Sequence, residues 1–170
     1  MSKIILISAL IFGMAAAAVA QQAALNGQWR LNQAKSFLAG DHPPADYVLV
    51  LGVKIAGDSM ELVTTAQNAG DAMYGLPRSK SKIDTPIDGK PHEASQPGFL
   101  PGMPETPITI RAEWQGETLL VEQTGGGFGG VTRTRRRFFV SGEQKRLVEL
   151  VESHSTFGDS EQRLVFDKQD

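Results

Sequence analysis

Arg133-Thr134-Arg135-Arg136-Arg137 is the most concentrated cationic run in the chain, and four guanidinium groups in five residues could bind an anion or lace a surface with ion pairs. If the run lies on a regular strand, Arg133, Arg135 and Arg137 share one face. Thr132, Thr134, Arg136, Phe138 and Val140 share the other, which holds most of the apolar residues and is therefore the inward one. Arg136 is then the one guanidinium of the run that points inside. An unpaired interior charge is costly, so Arg136 requires an internal carboxylate, with Glu122 or Glu152 as cross-strand partners, or an anionic ligand. The three outward arginines have Glu113, Glu117, Glu149 and Glu152 as acids of the same region, and a solvated, salt-bridged face is their ordinary reading.

Other groups offer less. His42 beside Asp41 and His92 beside Glu93 would have to meet across two loops to make a metal or acid-base site, without the short spacing such sites favour. No Gly-x-Ser-x-Gly elbow is present, and no two carboxylates are placed together by periodicity. Gly125-Gly126-Gly127-Phe128-Gly129-Gly130 lacks the Lys-Ser/Thr and the following helix of a phosphate loop, and reads as a mobile hairpin end with Phe128 at its tip. The chain therefore reads as non-enzymatic, with no catalytic residue, no metal and no cofactor.

The elements that must position Arg136 are strands. Ile108, Ile110, Ala112 and Trp114 alternate with Thr109, Arg111 and Glu113, a period of two that a half-buried strand satisfies. From Pro107 to Lys168 such runs follow one another, separated by Gly-acid or Gly-rich turns at Gly116, Gly125–Gly130, Gly142 and Gly158, and Gly57-Asp58 supplies the same turn earlier. Upstream, Gly27–Asn32 gives a short first strand anchored by Trp29, and Asn32–Gly40 one or two helical turns carrying Phe37 and Leu38. Tyr47–Ile55 forms a strand apolar on both faces, and Met60, Leu62 and Thr64 lie on the strand that returns. Arg78–Ile83 suits an edge strand, with Lys80 and Lys82 facing water. Six of the nine prolines fall between Pro86 and Pro107, so residues 84–107 read as a Pro-rich loop through which no helix or central strand runs. Phe99, Leu100 and Met103 keep open a second role for it, as a lid. The sum is an all-β, single-domain antiparallel up-and-down meander of about 8–10 strands, closed as a barrel or folded as a β-sandwich to remove free edges.

Bulk properties set the compartment. Lys3, the apolar run Ile4–Val19 and Ala18-Val19-Ala20 before Gln21 make residues 1–20 a cleavable signal peptide, followed by a flexible leader at 21–26 and one domain at 27–168. Cleavage leaves no permanent membrane anchor, and the absence of cysteine excludes a lipid-modified cysteine and a disulfide framework. A periplasmic or secreted bacterial location follows as the expectation. The full chain carries a net charge of −2, and the signal segment takes one lysine with it, so nothing invites nucleic acid.

Gly27-Gln28-Trp29 on the first strand, followed by a meander of this length, resembles the calycin superfamily of lipocalin-like and fatty-acid-binding-like β-barrels, whose first strand carries a Gly-x-Trp. The resemblance implies a barrel with a small lumen for an apolar or amphipathic molecule, a tryptophan closing one end, and a late-strand arginine packed across it, a role that falls to Arg163. It also implies that an inward arginine such as Arg136 holds a carboxylate. The Thr-Asp-Tyr motif of true lipocalins is missing, and the Pro-rich insert is foreign to the pattern. The functional expectation is an exported binding protein for a small lipophilic molecule, with Trp114 and Phe138 as wall and Arg136 as polar anchor. The alternative is a structural or protein-interaction domain with a filled core, forming a homodimer through strands that are apolar on both faces, such as Leu147–Val151.

Overall fold

The structure is a computed structural model that describes residues 22–39, 43–68, 80–96, 104–127, 130–142 and 145–169. The signal segment, Asp41-His42, the lid candidates Phe99, Leu100 and Met103, and Phe128 lie outside the described residues.

Alternation of apolar and polar residues is carried into strands almost without exception. Ten strands are described: β1 (Gly27–Leu31), β2 (Val48–Ala56), β3 (Ser59–Gln67), β4 (Ser81–Pro86), β5 (Pro91–Gln96), β6 (Thr106–Gln115), β7 (Thr118–Gly127), β8 (Gly130–Ser141), β9 (Arg146–Ser155) and β10 (Gly158–Lys168). All pairings are antiparallel, in the order β4-β3-β2-β1-β10-β9-β8-β7-β6-β5. One sheet, rather than the two of a sandwich, curls until β4 and β5 approach each other without pairing, giving a nearly closed barrel. The inner face carries the core: Trp29, Leu51, Leu62, Ile110, Leu119, Phe138, Leu147 and Phe166 are all fully buried.

Three local expectations are corrected. The Pro-rich segment 84–107 is not a continuous loop, because β5 runs through it. Pro86 and Pro91 sit where they cost least: Pro86 ends β4, Pro91 opens β5, and β5 pairs only with β6, so its other edge needs no donors. The leader holds a helical turn over residues 22–25, with Leu25 wholly buried and its carbonyl accepting a 2.8 Å bond from Trp29 Nε1. The helical turn expected after β1 is a single 3₁₀ turn (Gln33–Lys35) that carries neither Phe37 nor Leu38, and Phe37 pairs instead with Arg163 as an isolated bridge.

Turn chemistry is shared less widely than the sequence suggests. Gly57 and Gly116 take the positive φ that their tight turns require, at 58° and 62°. In the turn after β8 that conformation falls on Lys145 (φ 47°), not on Gly142. The glycine run belongs largely to strands, with Gly125, Gly126 and Gly127 paired to Thr132, Val131 and Gly130. Gly125 is there for space, since a Cβ on it would fall 2.6 Å from Ile108 Cγ2.

Candidate functional site

Inward residues come in lateral rows across the last five strands, and the rows change character along the barrel. One row reads Trp114, Leu119, Phe138, Glu149 and Leu164; the next reads Ala112, Val121, Arg136, Val151 and Gln162; the third reads Ile110, Gln123, Thr134, Ser153 and Ser160. Apolar side chains dominate the first row and polar ones the third, so the lumen passes from a dry end to a hydrogen-bonding end.

The dry end is plugged by Trp29. Lys168 Nζ lies 5.2 Å from its ring centroid, so the cation over the tryptophan is Lys168 and not Arg163. Parity explains the exchange: Leu164 and Phe166 of β10 point inward, which turns Arg163 outward, where its guanidinium donates to the Lys35 carbonyl at 3.3 Å.

Toward the other end lies a cavity of about 360 Å³. Leu49, Leu51, Val151, Leu164 and Phe166 form its apolar wall, and Thr64, Ser81, Gln96, Gln123, Thr134 and Ser153 supply neutral hydrogen-bonding groups. Ser81 opens β4 and Gln96 closes β5, so the cavity reaches the gap between these two unpaired strands. Gln123 Nε2 donates to Gln96 Oε1 at 2.8 Å and ties β5 to β7.

Among the described residues two charged ones line this space, and they neutralise each other. Arg136 Nε donates to Glu149 Oε1 at 2.5 Å, with side-chain exposures of 16% and 3%. The Arg136 guanidinium carbon also lies 5.0 Å from the Phe138 ring centroid. The inward assignment of Arg136 therefore holds, and the requirement for an internal carboxylate is met by Glu149 rather than by Glu122 or Glu152. Those two acids face outward and take the outward arginines: Glu122 binds Arg135 at 2.7 Å and Arg111 at 3.6 Å, and Glu152 binds Arg137.

Of the three residues singled out for the site, Arg136 lines the cavity and Phe138 underlies Arg136 without reaching the cavity surface. Trp114 stands in the dry row beside Leu119, partly buried, its indole N–H buried without a hydrogen-bond partner. Glu149, expected among the acids of the outward arginines, is instead turned inward to Arg136. Arg146, Glu152 and His154 are polar and share one face of β9, which leaves Glu149 on the other; the apolar Val148 and Leu150 on the outer face obscured the pattern.

The proposed meeting of His42 with His92 lies outside the described residues, because Asp41-His42 does, and His92 and His154 each have an acid of their own. His92 Nε2 is engaged with Asp88 Oδ1 at 2.9 Å and His154 Nδ1 with Asp159 at 2.9 Å. Among the described residues no three His, Cys, Asp or Glu side chains are grouped to hold a metal ion.

No family model and no curated protein matches the sequence. Solved structures do match the fold. The REP1-NXSQ fatty acid transporter is 14% identical, with 87% of this chain and 98% of that one covered at a TM-score of 0.55. The lipid binding protein 8 of Caenorhabditis elegans is 12% identical, with 86% and 96% covered at 0.57. The zebrafish ileal bile acid-binding protein, solved with cholic acid, is 16% identical, with 86% and 99% covered at 0.52. A ten-stranded antiparallel sheet closed except between its fourth and fifth strands, matched over nearly the whole of these chains, shows that this protein shares their β-barrel fold.

Proposed function

We propose that this protein is an exported, non-enzymatic binding protein that holds a small lipophilic or amphipathic molecule in its barrel. The observation that carries the reading is the cavity of about 360 Å³, set between an apolar wall and a ring of hydrogen-bonding side chains and reaching the β4–β5 gap. A site of that size and mixed lining suits one small ligand with an apolar body and a polar end. The fold neighbours named for fatty acid transport, lipid binding and bile acid binding support the same reading. Arg136 and the apolar wall of Leu49, Leu51, Val151, Leu164 and Phe166 are the groups proposed to meet the ligand.

Export is the second part of the proposal, carried by the charged, apolar and small-residue segments of residues 1–20. Native mass spectrometry of protein taken from its own compartment tests both parts together. The expected spectrum is that of a chain starting at Gln21, carrying an extra mass that leaves on activation and is displaced by a fluorescent lipophilic probe. A clean apo mass with no probe uptake would remove the binding reading, and an uncut N-terminus the export reading.

The outer surface carries Phe37, Val131 and Phe157 in exposed positions, at 66%, 65% and 82%. They favour self-association as a second role. Light scattering that gives the mass of a monomer at high concentration would exclude it.

A further inference from the structure

We infer that the molecule taken up in the lumen is uncharged, with a hydroxyl, ester or amide head, and is not a carboxylate. The inference rests on the lumen being a binding site and narrows what it takes. Its basis is the charge inside the barrel. Among the described residues the cavity is lined by one cation and one anion, Arg136 and Glu149, bonded at 2.5 Å. Their sum is zero, and Glu149 is more deeply buried than Arg136.

A ligand carboxylate entering this space has to give up its hydration, a cost that only an uncommitted positive charge or several strong donors can offset. Arg136 is not uncommitted. An anion close enough to bond its remaining N–H groups would lie beside the Glu149 carboxylate in a site shielded from water, where like charges repel strongly. The pair also resists being opened, because displacing Glu149 would leave it buried without a partner.

The rest of the polar lining fits the opposite kind of ligand. Thr64, Ser81, Gln96, Gln123, Thr134 and Ser153 are neutral, and each can both donate and accept. Such a set satisfies hydroxyl, ester and amide groups without burying any new charge. The free N–H groups of Arg136 then act as donors to a ligand oxygen, with the charge balance undisturbed. Glu149 is thus a specificity-determining residue, cancelling the one feature of the lumen that would select an anion.

Chain-matched probes test this on the mature protein. Monodecanoylglycerol and decanoate are titrated by displacement of a neutral fluorescent dye at neutral pH. The expected result is at least about tenfold tighter binding of the glycerol monoester, equivalent to ~1.4 kcal/mol. In Glu149→Gln, where Arg136 keeps its charge, decanoate should gain about tenfold or more and the preference should narrow or invert. Tighter binding of decanoate by the natural sequence, or an unchanged ratio in Glu149→Gln, overturns the inference while leaving the lumen a binding site. Uptake of neither probe overturns the binding reading itself. If Glu149→Gln fails to fold, the double variant Arg136→Gln/Glu149→Gln, with both charges gone, decides: continued preference for the monoester supports the inference, and preference for decanoate defeats it.

Discussion

Arg136 and Glu149 set a stability problem as well as a binding one. Replacing Arg136 by Met leaves the Glu149 carboxylate buried without its partner, and should cost about 3–5 kcal/mol in urea denaturation. Replacing both, as Arg136→Met/Glu149→Leu, removes the desolvation problem together with the pair, and the double variant should recover most of that loss. Equal losses in the single and double variants would contradict this account. Tyr47 gives a separate handle. Burial pushes its hydroxyl up to about 12, so the folded chain keeps the proton after the unfolded chain has lost it at about 10. Stability should therefore fall as pH rises from about 10 toward 12. In a Tyr74→Phe variant, where Tyr47 is the remaining tyrosine, phenolate absorbance should appear with a midpoint near 12, and a midpoint near 10 would refute the burial argument. At this scale the sequence was legible by parity: the inward set on β8 could be read because Phe138 and Val140 mark it. The partner of Arg136 could not be read, because register across two strands decides it, and alternation within one strand carries no register.

The elements show where alternation suffices and where it does not. Strands β2, β3 and β6 to β10 follow from period-two runs punctuated by Gly-acid turns. β5 does not, since proline density reads as loop while Pro86 in fact ends β4 and Pro91 opens β5 on an unpaired edge. That edge makes a prediction. Amides of β4 and β5 that face the gap lack ladder partners, whereas β9 is paired along its length on both sides. Native-state hydrogen exchange should find the gap-facing amides of Ser81–Pro86 and Pro91–Gln96 exchanging far ahead of those in Arg146–Ser155. Uniform protection across all three strands would mean that the gap is closed. The Phe37–Arg163 bridge was illegible for a different reason: it depends on β10, more than a hundred residues away, for its hydrogen bonds, whereas the 3₁₀ turn closes locally on the Asn32 and Gln33 carbonyls.

For the whole molecule, a Gly-Gln-Trp start and a count of runs carried the fold class, and the choice of barrel over sandwich came from how the sheet closes. The order joins two ribbons, β4 to β1 and β10 to β5, through the single pairing of first and last strands. The chain passes between the two ribbons' free edges at residues 87–90. Linking the native termini and opening the chain in that turn should give a permuted protein with the same circular dichroism and ligand uptake, since no ladder is cut. Failure of that variant to fold, with the linker shown to span the ends, would show that the turn itself is needed to build the sheet.

Gly158–Lys168, the last of the described strands along the chain, is also the one at the middle of the finished sheet. Until it is in place the two ribbons stay unjoined and the lumen is incomplete, so its docking between β1 and β9 is the event that closes the barrel.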